Sequence, residues 1–289
     1  MKYGIYYAYW EKEWKGDFIP YIAKVKKLGF DILEVACGDF HNQPDKYFYT
    51  LRDAAREYDI ILTGGYGPRA EHNLSSPDPD VVENALAFYS DIFRKMEIAG
   101  IRSIGGALYS YWPVDYGREP DKEGDLERSI LNMRRLADIA ERHGITLNME
   151  VLNRFEGYLL NDANEGLAYV RAVDKPNVKL MLDTFHMNIE EDSLIEPILQ
   201  AGKYLGHVHV GEPNRKPPRE GRIPWREIGK ALRQIGYEGA VVMEPFVTMG
   251  GQVGKDIRIW RDLSQGATES DLDRDAAQSL AFLKRAFEA

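Results

Sequence analysis

Short runs of apolar, β-branched and aromatic residues alternate along the chain with longer amphipathic, charged stretches. The runs are Tyr3–Tyr7 (YGIYY), Ile32–Ala36 (ILEVA), Ile60–Thr63 (IILT), Ser103–Ala107 (SIGGA), Thr146–Val151 (TLNMEV), Val178–Asp183 (VKLMLD), Gly206–Val210 (GHVHV) and Ala240–Glu244 (AVVME). Between them, Pro20–Leu28, Pro79–Ala99 and Asp125–His143 read as helices; in the last, Leu126, Ile130, Met133, Leu136, Ala137 and Ala140 recur at helical spacing. Lys26-Lys27-Leu28-Gly29 and Glu141-Arg142-His143-Gly144 each place a basic last turn before a glycine and a new apolar run, the pattern of a helix stop. The run centres lie 28 to 45 residues apart, enough for one strand and one crossover helix per step. Eight such units within 289 residues predict an α/β fold, a (β/α)8 TIM barrel of parallel strands, over a doubly wound open sheet. No Pro-, Gly- or Ser-rich linker divides the chain, so residues 1–289 read as a single barrel domain.

Composition narrows the partners. With 46 acidic against 37 basic side chains the net charge is −9, the opposite of a surface built to neutralise phosphates, so no nucleic-acid partner is expected. No apolar run approaches the roughly 18 residues of a membrane span, and MKYGIYYAYWEKEW lacks the apolar core of a secretory signal, so no membrane partner is expected. The single cysteine, Cys37, cannot pair within the chain, which fits a reducing, cytoplasmic compartment.

In such a barrel the chemistry sits at the C-terminal ends of the strands. The fifth to eighth runs deliver Glu150, Asp183, His209 and Glu244 to that rim. A lone carboxylate at a strand end is more often a helix cap or an ion-pair partner. Four in succession, two of them interrupting apolar strands where an unpaired charge is costly, point instead to a shared cation. Three carboxylates and one imidazole suit Mn²⁺, Co²⁺ or Mg²⁺ better than a thiolate-rich structural zinc site. His207 shares the face of His209 one step deeper, about 6.6 Å along the strand, and reads as a hydrogen-bonded neighbour below it. Just beyond the strands Glu156, His186 and Arg215 supply donors and acceptors suited to a hydroxyl-rich ligand, although a solvated loop would look the same. Aromatic residues crowd the same ends: Tyr6, Tyr7, Tyr9, Trp10 and Trp14 early, Tyr109, Tyr111 and Trp112 in the middle, Phe246 late. Some of them must be packing; others offer flat walls for a sugar. Gly64-Gly65-Tyr66-Gly67-Pro68 reads as a tight loop at the mouth, not a phosphate cradle, and no nucleophile elbow is present.

The segments GIYYAYWEKEW, IGGALYSYWPVDY, MEVLNRFEGYLLN, VKLMLDTFHMNIEEDS, GHVHVGEPNR, GRIPW and VVMEPFV together resemble the ketose 3-epimerases, the D-tagatose and D-psicose 3-epimerases of the xylose-isomerase-like barrels, nearly end to end. The resemblance implies one divalent cation per chain, Mn²⁺ or Co²⁺, on Glu150, Asp183, His209 and Glu244. It implies sugar contacts near O1 to O3 from Glu156, His186 and Arg215, and a groove shaped by Trp112, Tyr6, Trp14 and Phe246. It also implies a free ketose as substrate and assembly as a homodimer or homotetramer.

Epimerisation at C3 requires loss of a proton from one face and return of a proton to the other, through a cis-enediolate that a cation chelated by O2 and O3 stabilises. Glu150 and Glu244 are the expected pair of acid–base groups. Three rivals stand beside this reading: an aldose–ketose or sugar-acid isomerase on the same barrel, a metal-dependent phosphodiesterase or abasic-site nuclease, and a silent sugar-binding barrel. The net charge and the aromatic groove count against the nuclease, the complete ligand set against the silent barrel.

Overall fold

Runs this short and this rich in Val, Ile, Leu and Tyr can bury both faces only as central strands between other layers. They do so here. In the computed structural model, which describes residues 1–117 and 119–289, eight strands follow one another: β1 (Lys2–Tyr6), β2 (Ile32–Ala36), β3 (Ile61–Gly65), β4 (Ser103–Gly106), β5 (Thr146–Glu150), β6 (Val178–Asp183), β7 (Leu205–Val210) and β8 (Ala240–Met243). Each pairs in parallel with the next, and β1 pairs with β8 through Lys2↔Ala240 to Ile5↔Met243, closing the barrel. The predicted (β/α)8 architecture is the observed one.

The helices are α1 (Ile19–Leu28), α2 (Asp45–Glu57), α3 (Pro79–Ala99), α4 (Lys122–Arg142), α5 (Ala163–Val173), α6 (Thr184–Glu190), α7 (Glu196–Ala201), α8 (Trp225–Gln234), α9 (Gly251–Asp256) and α10 (Glu269–Glu288), of which α6 and α9 carry residues that line the cavity. Local chemistry sets their ends. Asp78 caps α3 by accepting from Asp80 N, Pro79 takes its first position, and Gly100 ends it in the left-handed region at φ 80°. α4 begins three residues before the expected Asp125 because Asp121 accepts the Gly124 N–H. A Thr268–Asp271 capping box opens α10. Gly29 and Gly144, the two predicted helix stops, have φ of 91° and 64°. The short helices α6, α7 and α9 carry too few turns to register as helical periodicity. α8 and α10 lie close because Gly229 has no side chain: a Cβ there would stand 2.5 Å from Phe287 Cα. Among the described residues no helix is long and apolar enough to cross a membrane.

Register decides what enters the barrel. Side chains alternate in and out along a strand, and cross-strand pairs share a face. Glu34↔Thr63, Gly105↔Asn148 and Asp183↔His209 are such pairs. His207 and His209, Asn148 and Glu150, and Met181 and Asp183 therefore stack in successive layers of one interior. Above it opens a cavity of about 650 Å³.

Candidate active site

Glu150 is the last residue of β5, Asp183 the last of β6, His209 the penultimate residue of β7, and Glu244 follows β8 with its N–H still bonded to Val210 O at 3.2 Å. One ligand atom from each of these four side chains lies within 4.8 Å of those of the others. Asp183 serves two neighbours: Oδ1 accepts the Phe185 N–H at 2.9 Å, capping α6, while Oδ2 faces Arg215 at 3.3 Å. The His209 ring is held on one side by Glu34, whose Oε1 is 2.5 Å from Nε2. Its Nδ1 points the other way, 3.4 Å from Glu244 Oε1 and 3.9 Å from Glu150 Oε1, buried and without a hydrogen-bond partner among the described residues.

This is an expensive arrangement for bare carboxylates. Burial, and next the charge of Glu244, push the Glu150 carboxyl well above the ordinary carboxylate range. Burial pulls His209 down, but Glu244 and Glu34 together outweigh it and hold the imidazole well above its usual value. An orphaned imidazole nitrogen aimed at three converging carboxylates is the donor set of a hard divalent cation, and the residues present fit one.

Arg215 partly offsets the negative charge. Its Nη1 lies 3.1 Å from Glu244 Oε2 and 3.3 Å from Asp183 Oδ2, its Nη2 donates to Glu156 Oε1 at 3.2 Å, and the guanidinium stacks 3.6 Å over the Phe185 ring. The backbone at Arg215 adopts φ 62°, a left-handed conformation a non-glycine residue holds at a cost of about 1–3 kcal/mol. Hydrogen bonds from Arg215 N to Glu212 O and from Phe246 N to Arg215 O lock it there, both at 2.9 Å. Burial raises the Glu156 carboxyl, but the charge of Arg215 and the hydrogen bonds from Asn153 and Trp112 contribute to a combined lowering that outweighs it, so it stays ionised. Trp112 Nε1 donates to its other oxygen at 3.3 Å. His186 is kept neutral by burial and turns Nε2 toward Glu150 and Asp183, 3.7 Å from each.

The aromatic residues divide sharply. Tyr6, Trp14, Trp112 and Phe246 line the cavity as one wall, with Trp14 6.0 Å from Trp112, 5.9 Å from Phe246 and 6.3 Å from Tyr6 between ring centres. Asp256 at the end of α9 pins Trp14 through its indole N–H at 2.8 Å. Tyr7, Tyr9 and Tyr109 are core, and Trp10 bonds outward to Asp273 of α10.

The family model of the xylose isomerase-like TIM barrel matches residues 22–286. The chain is 56% identical over its whole length to the D-psicose 3-epimerase of Ruminiclostridium cellulolyticum, covering 98% of that protein, and 53% identical to that of Agrobacterium fabrum, with 98% of each chain covered. It superposes on the crystal structure of the D-psicose 3-epimerase with D-tagatose from Clostridium cellulolyticum H10 with a TM-score of 0.99 at 56% identity, each chain fully covered. A D-psicose 3-epimerase solved in the presence of D-fructose gives 0.98 at 52%. The chain belongs to the ketose 3-epimerases.

Two features of this epimerase escape a reading of strand ends. Glu34 is buried inside β2, beneath the rim, and Thr63 Oγ1 donates to its Oε2 at 2.8 Å. The signal was present: ILEVA is an apolar strand interrupted by a carboxylate, as at Glu150. Asn153, whose N–H reaches His186 Nδ1 at 3.1 Å, carries no such mark. The glycine-rich segment is half strand, since Gly64 and Gly65 end β3, while Tyr66 and Gly67 reach the cavity. A Cβ on Gly67 would stand 2.7 Å from the Trp112 ring, so the glycine lets that wall close.

Proposed function

We propose that this chain interconverts free ketohexoses differing at C3, D-fructose with D-psicose and D-tagatose with D-sorbose, by proton transfer through a cis-enediolate. One observation carries the reading: Glu150 and Glu244, from strands on opposite sides of β6 and β7, converge within 4.8 Å on the orphaned nitrogen of His209. Two carboxylates reaching one point from different directions can address the two faces of one carbon. Glu150, Asp183, His209 and Glu244 would hold the divalent cation, Mn²⁺ or Co²⁺, which when bound supplies a Lewis acid for the negative charge developing on O2 and O3.

The protein's own groups do the rest. One of Glu150 and Glu244 takes the C3 proton from its face while the other returns a proton to the opposite face, the order depending on the configuration of the substrate; positioned proton transfer of this kind contributes about 10²–10⁴-fold. His186 Nε2–H and the Arg215 guanidinium orient the oxygens around C2, and the ionised Glu156 accepts from a hydroxyl. The wall of Tyr6, Trp14, Trp112 and Phe246 packs the remainder of the sugar and keeps water from the enediolate. The reading includes one chain-long domain, a cytoplasmic location consistent with the single buried Cys37, and a homodimer or homotetramer, for which light scattering is the check.

The decisive experiment is turnover in D₂O. The epimer formed from D-fructose carries deuterium at C3 and none at C1, because each carboxylate exchanges its proton with solvent between turnovers. An unlabelled C3 epimer would sink the two-carboxylate mechanism. An aldose product with label at C1 or C2 would reassign the chain to the isomerases.

A further inference from the structure

Beneath the four-residue cluster the barrel interior holds a polar layer that the proton transfers leave unused. At its centre is Glu34 on β2, 1% exposed in an otherwise apolar strand, where an unpaired charge is costly. Its Oε1 stands 2.5 Å from His209 Nε2; its Oε2 accepts from Thr63 at 2.8 Å and lies 3.1 Å from His207 Nε2.

Glu34, His207 and His209 are also near enough to one another to suggest a second cation site. The 2.5 Å separation argues against it: two donors each about 2.1 Å from a common ion stand about 3 Å or more apart at tetrahedral or octahedral angles. The contact is a charge-assisted hydrogen bond with Nε2–H as donor. A neutral imidazole carrying its hydrogen on Nε2 keeps the lone pair on Nδ1, and Nδ1 is the buried, unpartnered atom that faces Glu150 and Glu244.

We propose that Glu34 is the positioning residue of the cation site: it sets the tautomer and ring orientation of His209 from across the barrel, so that Nδ1 is presented as a ligand, and Thr63 in turn sets Glu34. This rests on the cation reading above. A carboxylate behind a ligating imidazole both orients the ring and strengthens its donor nitrogen, and removing such a partner costs about 10–100-fold in metal affinity.

The test is titration of Co²⁺ into metal-free protein, followed by calorimetry and by the visible absorption of the bound ion. Glu34→Gln keeps the size and an acceptor oxygen but loses the charge; Glu34→Ala loses both. Co²⁺ affinity should fall about tenfold in the first and toward 100-fold in the second, with a shifted visible band in Glu34→Ala as the imidazole is freed to turn. Should Glu34→Ala fail to fold, judged by circular dichroism, Glu34→Gln carries the test. Wild-type affinity and spectrum in the folded variants overturn the assignment of Glu34 alone. A wild-type chain that takes up no Co²⁺ overturns the cation reading, and this inference with it.

Discussion

The backbone N–H of Asn153 donates to Nδ1 of His186 at 3.1 Å. That bond fixes the tautomer: the ring hydrogen is on Nε2, the nitrogen that turns toward Glu150 and Asp183. Burial lowers the pKa of the ring, so it enters the site as a neutral hydrogen-bond donor.

His186→Ala should therefore lower kcat/KM by roughly 10–10²-fold, the loss of one hydrogen bond to a charged or charging oxygen at about 1.5–3 kcal/mol. Co²⁺ uptake should be unchanged. Steady-state kinetics with D-fructose and calorimetry check the two halves separately, and a parallel collapse of uptake would place His186 among the ligands.

Replacing either proposed acid–base group by its amide removes a proton carrier. Glu150→Gln and Glu244→Gln should each reduce turnover by about 10²–10⁴-fold, with the circular dichroism of the wild type. Near-normal turnover in either variant would remove that residue from the chemistry.

The metal-free protein should lose stability as pH rises. Glu150 and His209 both have folded pKa values above their unfolded ones. Their contribution is therefore complete below the unfolded values, near 4.5 for Glu150 and 6.5 for His209, and is lost as pH climbs through the raised folded values. Thermal melts in chelator from about pH 5 upward should show a falling Tm, and Glu150→Gln should flatten the fall. A Tm that climbs over that range would contradict the burial argument.

The same two protons must leave when a cation enters. Mn²⁺ or Co²⁺ affinity should therefore strengthen with pH, and binding should release protons, seen as a buffer-dependent heat in calorimetry. Chelation should abolish turnover and either ion restore it. Full activity in exhaustively chelated protein would end the cation reading.

Arg215→Ala removes the guanidinium that faces Glu156, Asp183 and Glu244. Lost contacts to sugar oxygens should raise the KM for ketose by about tenfold or more. An unchanged KM would take Arg215 out of the sugar site.

What could be read in advance follows from the architecture itself. Strands buried on both faces must be continuous apolar runs, so their spacing announced the barrel and a charge within them stood out. Glu150, Asp183, His209 and Glu244 were legible because strand ends in this fold share one rim. The aromatic cluster was legible only as a cluster: Tyr6 ends β1 and faces the cavity, while Tyr7 opens the 3-10 turn that follows and is buried in the core.

The chain by itself determined the number of units, the helix stops at Gly29 and Gly144 and the four side chains Glu150, Asp183, His209 and Glu244 at the ends of β5 to β8, because each depends on neighbours within a few residues. Only closure of the barrel decided that Glu34 stands behind His209, 175 residues away in sequence, and that Asp256 pins Trp14 from 242 residues away. Those pairings depend on how β1, β2, β7 and β8 are brought together around the axis, and nothing in the residues flanking either partner encodes that distance.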